Sequence, residues 1–238
     1  MAIVDEPSDI AALEQRIEGT VAILRRVEAE YLPAVLASSF SAEDMVLLDL
    51  IRAHTPGIDA FTLDTGRLNA ETYKLQQRVR ERYGPVVRTY YPEAFEVEQV
   101  VASFGVNGFY HSLEARQACC HARKVEPLRR ALSGQRAWLT GMRRAQAATR
   151  SELPIEEHDP EQGLIKLNPL AEWQEADVWG YLRSHGVPYN KLYDQGYRSI
   201  GCAPCTRPVA AGEDIRAGRW WWEHPARREC GLHRSPQD

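Results

Sequence analysis

Residues 34–45 read Ala-Val-Leu-Ala-Ser-Ser-Phe-Ser-Ala-Glu-Asp-Met, "AVLASSFSAEDM". A short apolar run follows Pro33 and ends in serines, which reads as a buried strand running into a loop. Ser41 with Asp44 three residues later matches a capping box, so a helix opens there, over "SAEDMVLLDLIRAH". A hydroxyl-rich strand–loop–helix junction suits phosphate, because N–H groups at a helix N-terminus attract anions. It equally suits a helix cap with nothing bound.

The same alternation continues outward. Residues 9–31 space Ile10, Leu13, Ile17, Val21 and Leu24 as an amphipathic packing helix. "IDAFTLDTG" (58–66) is a second strand ending in a turn, and residues 69–84 are a helix stopped by Gly84. "VVRTYYP" is a third strand, followed by a helix over "AFEVEQVVASFG". "ARKVEPLRRALSG" is helical and closes at Gly134, "RAWLTGMRR" (136–144) is a strand, and "LIKLNPL" is a short strand. "WQEADVWGYLRSHG" is a helix ending at Gly186, and beyond Val187 the pattern loosens into loops. The expected fold class is α/β, a mostly parallel sheet with helices on both faces. Ligands of such sheets bind outside the carboxyl ends of the strands, where Ser38–Asp44, Leu63–Gly66 and Thr140–Arg150 would lie. The expected organisation is one domain over 1–212 and a functional C-terminal tail over 213–238.

Bulk properties narrow the function. The chain has 238 residues, 44% hydrophobic and 26% charged, an ordinary globular composition. A net charge of −4 provides no global basic field for nucleic acid. No apolar run is long enough for a membrane, and the acidic, polar N-terminus does not read as a targeting peptide. The expected compartment is the cytoplasm, where five cysteines are better explained as metal ligands or catalytic thiols than as disulfides.

The cysteines carry the strongest signal. Cys119 and Cys120 are adjacent within "QACCHARK", and Cys202 and Cys205 form a C-x-x-C within "GCAPC". Four thiolates suit zinc or an iron–sulfur cluster. Structural zinc pairs are normally separated by a few residues, whereas a cluster with several irons lets adjacent cysteines bind different ones. The fifth, Cys230, follows Arg227 and Arg228 and precedes His233; nearby cations favour the nucleophilic thiolate, and Glu229 opposes them. In "LTGMRRAQAATR" (139–150), Arg143 and Arg144 follow Gly141 at the expected ligand edge and suit an anion. Leu63, Asp64, Thr65 and Gly66 alone are an ordinary strand-end turn. Arg216 and Arg219 would face one way if helical, and the tryptophans after them read as packing against the core.

Together these motifs resemble the assimilatory adenylylsulfate (APS) reductases, the iron–sulfur branch of the sulfonucleotide (APS/PAPS) reductase family. The resemblance runs from Ser38 to His233 and rests most on Cys119-Cys120, Cys202/Cys205 and Glu229-Cys-Gly-Leu-His. It implies a Rossmann-like fold related to the ATP pyrophosphatases. Their loop reads S-G-G-x-D-S; here it is Ser-Phe-Ser-Ala-Glu-Asp, lacking the glycines, which argues against pyrophosphate chemistry. By resemblance, Cys119, Cys120, Cys202 and Cys205 bind a [4Fe–4S] cluster and Cys230 is the nucleophile. Lys124, Arg216, Arg219 and His233 hold the phosphosulfate. Ser38, Ser39, Ser41, Asp44, Leu63–Gly66, Gly141, Arg143 and Arg144 surround the nucleotide. Thioredoxin is the implied external electron donor, and a homo-oligomer is left open. Rivals are a 3′-phosphoadenylylsulfate or dual-substrate reductase, a tRNA-thiolating protein, and a zinc-stabilised nucleotide-binding module.

Overall fold

The computed structural model describes residues 10–146 and 150–224. These divide into two compact units. One lies within Met1–Thr62, Ala70–Arg88 and Gly134–Gly196, the other within Leu63–Asn69, Thr89–Ser133 and Tyr197–Asp238.

The first unit is built on a six-stranded sheet in the order β3-β2-β1-β4-β6-β5. Its strands are β1 (Ala34–Ala37), β2 (Asp59–Leu63), β3 (Val87–Tyr90), β4 (Ala137–Leu139), β5 (Glu156–Asp159) and β6 (Leu164–Leu167). β1 runs parallel to β2 and β4, and β4 runs parallel to β6. β5 pairs antiparallel with β6, Glu156 opposite Leu167. The sequence reading missed β5. Its residues, Glu-Glu-His-Asp, have no apolar face, and an edge strand needs none because only one partner holds it.

Helices α1 (Ile10–Glu30), α2 (Ala42–His54), α3 (Ala70–Tyr83) and α7 (Glu175–Ser184) belong to this unit. α2 is buried nearly all round: Met45, Val46, Leu47, Leu48, Leu50 and Ile51 are all inaccessible to solvent. It is the central helix between the sheet and its neighbours α1 and α7. On α1 the expected stripe holds for Leu13, Val21 and Leu24, but Ile10, in its first turn, is exposed.

In the second unit, α4 (Ala94–Phe104) precedes α5 (Leu113–Cys120), a π-helical turn (His121–Val125) and α6 (Glu126–Leu132). Ser112 caps α5 by accepting from the Ala115 N–H at 3.1 Å. The helix expected from Ala122 therefore starts earlier and is interrupted. Pro127 lacks the N–H that would bond one turn back, and the π turn lies just before it. Cys119 and Cys120 thus end one helix, and Lys124 sits in the widened turn.

One close approach in the first unit is specific to glycine. A Cβ on Gly141 would lie 2.5 Å from Asp44 Oδ1 and 2.8 Å from Glu43 Cβ. Gly141→Ala should destabilise the chain by about 1–3 kcal/mol through this overlap. A lowered denaturation midpoint checks this; an unchanged one contradicts the contact.

Candidate functional site

The candidate residues fall in two neighbourhoods, one in each unit. In the first, the loop after β1 is closed on itself. Ser39 donates from its N–H and its hydroxyl to Asp44 Oδ2, at 2.7 and 2.8 Å, and the Ser41 N–H reaches the same oxygen at 3.3 Å. The Asp44 N–H donates to Ser41 Oγ, completing the expected capping box. The N–H groups of Phe40 and Ala42 go to Ser38 Oγ and the Tyr193 hydroxyl. The capping box expected at this junction is present. Phe40 sits in the left-handed region at φ 59° although it is not glycine, and its ring is buried.

Arg143 and Arg144 were expected as anion donors. Their guanidinium groups are instead engaged within the unit. Arg143 donates through Nε and Nη2 to Glu43 Oε1 at 2.9 and 2.7 Å, and through Nη1 to the Trp173 carbonyl at 3.3 Å. The reason is burial: Glu43 lies in the first turn of α2, away from water, and such a carboxylate needs a counterion. Arg144 donates to the Leu153 carbonyl at 2.8 Å and to Glu172 Oε1 at 3.2 Å.

The second neighbourhood is a small cavity, partly open to solvent, that all four expected ligand cysteines line. Cys119 and Cys120 come from the end of α5. Cys202 and Cys205 flank a single 3₁₀ turn, Ala203–Cys205, closed by the Cys205 N–H to the Cys202 carbonyl at 3.0 Å. None of the four forms a disulfide. Arg67, Arg116, Arg123 and Lys124 line the same cavity, with Trp220 as a wall.

The turn over Leu63–Gly66 is not an ordinary strand end. Asp64 Oδ1 accepts from the Gly66 N–H at 2.9 Å, setting Gly66 at φ 69°. Thr65 is buried, with Oγ1 3.3 Å from Cys202 Sγ, and its carbonyl accepts from Arg123 Nη1 at 2.6 Å. Arg67 and Asn69 continue the stitching to the C-x-x-C loop: the Ala203 N–H donates to the Arg67 carbonyl and Asn69 Nδ2 to the Gly201 carbonyl.

The charge environment acts on the thiols. Burial pushes the Cys205 thiol up to about 12, and it also raises Cys119. Burial would raise Cys202 as well, but Lys124, the Thr65 hydroxyl, Arg219 and Arg123 outweigh it and hold the thiol below its ordinary value. Among the described residues, no group of three or more His, Cys, Asp or Glu side chains closes to hold a single metal ion. The donor chemistry around the cavity is nevertheless all sulfur in cationic surroundings, which fits an anionic thiolate-bound group.

Arg216 and Arg219 do not share a helix, as the sequence suggested they would if helical. The segment is a run of turns, and Arg219 forms a bridge with Thr206. Arg219 is buried with its guanidinium 4.6 Å from the Trp220 ring centroid, and its Nε has no acceptor among the described residues. Arg216 is half-buried, its N–H donating to Asp214 Oδ1 at 2.8 Å. Trp220 packs inside as expected, while Trp221 stays partly exposed. Cys230 and His233 lie outside the described residues. Sequence reasoning missed Arg67, Arg116 and Arg123 at the cavity. Arg116 was findable, since it precedes Cys119 and Cys120 by three and four residues on one helix face.

A family model described as the phosphoadenosine phosphosulfate reductase domain matches residues 33–208. The chain belongs to that family. It is 52% identical over 222 residues to a protein of Allochromatium vinosum named adenosine 5′-phosphosulfate reductase, covering 93% of this chain and 87% of that one. A Burkholderia cepacia protein of the same name is 50% identical over 93% of this chain and 88% of its own. Among solved structures, a phosphoadenylyl-sulfate reductase of Candida auris is 29% identical with a TM-score of 0.69, covering 86% of this chain and 100% of that one. The FMN adenylyltransferase of Candida glabrata, 16% identical with a TM-score of 0.61 over 95% of this chain and 81% of its own, shares the fold alone. The fold is therefore the expected nucleotide-binding α/β type.

The loop carboxylate gives a pH test. Burial pushes Asp44 up to about 6, against the pull of its bonds from Ser39 and Ser41. The unfolded value is about 4, so the native state binds the proton more tightly between those limits. Ionising Asp44 then costs stability on the order of 3 kcal/mol, felt as pH rises from about 4 through about 6. Asp44→Asn should flatten that decline in denaturant titrations across this range. Parallel pH profiles for the two proteins would contradict it.

Proposed function

We propose that the chain is a thioredoxin-dependent adenylylsulfate reductase that converts adenosine 5′-phosphosulfate to sulfite and AMP. The observation that carries this reading is the gathering of Cys119, Cys120, Cys202 and Cys205 around one cationic cavity in a member of this reductase family. The four cysteines are assigned as ligands of a [4Fe–4S] cluster, which when bound supplies negative charge and cross-links the two cysteine segments.

The remaining steps belong to the chain's own residues. Cys230, as thiolate, attacks the sulfate sulfur of the substrate. A Cys230 S–S bond to the sulfonate forms, the sulfur–oxygen bond to the phosphate breaks, and AMP leaves with the electron pair. A thiolate of thioredoxin then attacks the Cys230 sulfur and sulfite departs. The second thioredoxin thiol resolves the mixed disulfide, so the donor is oxidised and Cys230 regains its thiolate. Both reactants in the first step are anions. Preorganised cations at the phosphosulfate offset that repulsion by several kcal/mol. Lys124, Arg216, Arg219 and His233 are assigned this role.

Ser38, Ser39, Ser41, Asp44 and Gly141, within the first unit, are assigned to the nucleotide, and the family resemblance gives Leu63–Gly66 a substrate-binding role within the second. Arg143 and Arg144 support the first group through Glu43, Leu153 and Glu172 rather than by direct donation. The division of roles is 1–212 for nucleotide and cluster and 213–238 for the nucleophile. No described helix is long and apolar enough to cross a membrane, and a cytoplasmic place in sulfate assimilation for cysteine synthesis completes the reading.

Mixing with sulfur-labelled substrate in the absence of thioredoxin should leave label on protein, mapped to the Cys230 peptide. Cys230→Ser should retain none; retained label would overturn the mechanism. The 3′-phosphorylated nucleotide, run in parallel, should label far less. Cys202→Ser should lose most of its iron and visible absorbance, and full iron with full activity would refute the ligand assignment.

A further inference from the structure

The turn that carries Gly141 takes its support from residues with no assigned role. In the first unit, β1, β4 and β6 lie side by side and parallel. The residue just beyond the carboxyl end of each is polar: Ser38, Thr140 and Asn168. They are 3%, 3% and 0% exposed. Ligands of parallel sheets bind along this edge, so a buried polar row here underlies the loops that would meet them.

The row shapes those loops. Ser38 Oγ accepts from the Phe40 N–H at 3.2 Å, and Thr140 Oγ1 accepts from the Met142 N–H at 3.3 Å. Hydroxyls bonded two residues ahead turn the chain off its strand. Asn168 works through its neighbours. Its Oδ1 accepts from the Thr140 hydroxyl at 2.6 Å, and its Nδ2 donates to the Pro154 carbonyl at 2.9 Å. Its N–H donates to the Ile155 carbonyl at 2.7 Å, and its carbonyl accepts from the Ala171 N–H at 3.0 Å. A relay therefore runs from the Met142 N–H through the Thr140 hydroxyl to Asn168. Such chains strengthen one another away from water. Met142, Leu153 and Ala171 also pack together, which steadies the same loop.

Gly141 lies between the two bonded residues. Its backbone abuts the start of α2 so closely that a Cβ would stand 3.1 Å from the Asp44 nitrogen. The placing of Thr140 therefore sets the fit between the turn after β4 and the loop after β1.

We propose that Asn168 is a positioning residue for the nucleotide, holding the Gly141 turn against the loop after β1 through the Thr140 hydroxyl. This rests on the assignment of Gly141, Ser38, Ser39, Ser41 and Asp44 to the nucleotide. Its effect falls on substrate affinity, because sulfonate transfer is assigned to other residues. Small misplacements of binding groups are costly when a ligand must be held in one geometry.

The test uses the full chain with its cluster and compares wild type, Asn168→Ala, Thr140→Val and Thr140→Ser. Thr140→Val keeps the shape and removes the hydroxyl, which serves if the Asn168 variant fails to fold; Thr140→Ser keeps the hydroxyl. Three quantities are read: AMP affinity by calorimetry, the half-saturating concentration and saturating rate of single-turnover sulfonate transfer from adenylylsulfate, and iron content. Asn168→Ala and Thr140→Val should weaken AMP binding and raise the half-saturating concentration about tenfold. Their saturating rate and iron should stay within about twofold of wild type, the pattern of lost binding rather than lost chemistry. Thr140→Ser should restore AMP affinity. A merely structural bond would lower the denaturation midpoint and leave AMP affinity at the wild-type value, and that outcome overturns the positioning role alone. Thr140→Ser as weak as Thr140→Val overturns it too, as does a lower saturating rate at unchanged affinity. Wild type that binds no AMP would overturn the nucleotide assignment itself, and the positioning role with it.

Discussion

Four sulfur atoms from two distant segments share one cavity, and that arrangement depends on the cations around it. Thiols packed together in a protein interior resist ionisation, as Cys205 shows by rising to about 12. A metal group needs thiolates, so the cost of charging them has to be offset by the surroundings. Arg67, Arg116, Arg123 and Lys124 line the cavity, and Arg219 bears on Cys202 from outside it. Glu223 is the carboxylate that answers Arg116. The local balance is strongly positive within a chain whose net charge is −4. Positive charge is concentrated around the four thiols, where it lowers the cost of charging them.

The loop after β1 reaches the opposite solution. Its donors are taken up internally, chiefly by the Asp44 carboxylate, and the buried cation beside it is matched by Glu43. Holding Phe40 at φ 59° costs roughly 1–2 kcal/mol. Burying its ring offsets a strain of that size. The loop's donors are thus satisfied by its own residues and by Tyr193.

Much of the fold was legible because it obeys local rules. The capping box at Ser41 and Asp44 marked the start of α2, and apolar runs bounded by turns marked β1, β2 and β4. What escaped was set by tertiary context. β5 is a polar edge strand, partly exposed and paired with β6, so no apolar run marked it. The break between α5 and α6 follows from Pro127, which the helical pattern around it concealed. At the site, the spacing of the cysteines singled out the four that line one cavity. Guanidinium groups were less readable. Arg143 and Arg67 look alike in sequence, yet one is bound to a buried glutamate and the other lines the cavity. Which carboxylates become buried is a property of packing, and no local pattern reveals it.

Thr65 shows the same limit and what lies beyond it. In sequence it is one residue of a turn; in the structure its hydroxyl meets Cys202 while its carbonyl meets Arg123. The neighbouring residues, Arg67 and Asn69, bind the backbone on either side of Cys202. The strand-end turn and the C-x-x-C loop are therefore one rigid piece, although 137 positions separate Thr65 from Cys202. A displacement of either is felt by the other, because interiors packed this closely transmit strain rather than absorb it. Residues 218–223 are bonded to that same piece through Cys205 and to α5 through Arg116. The cavity is thus framed by three segments, each held by contacts to the other two.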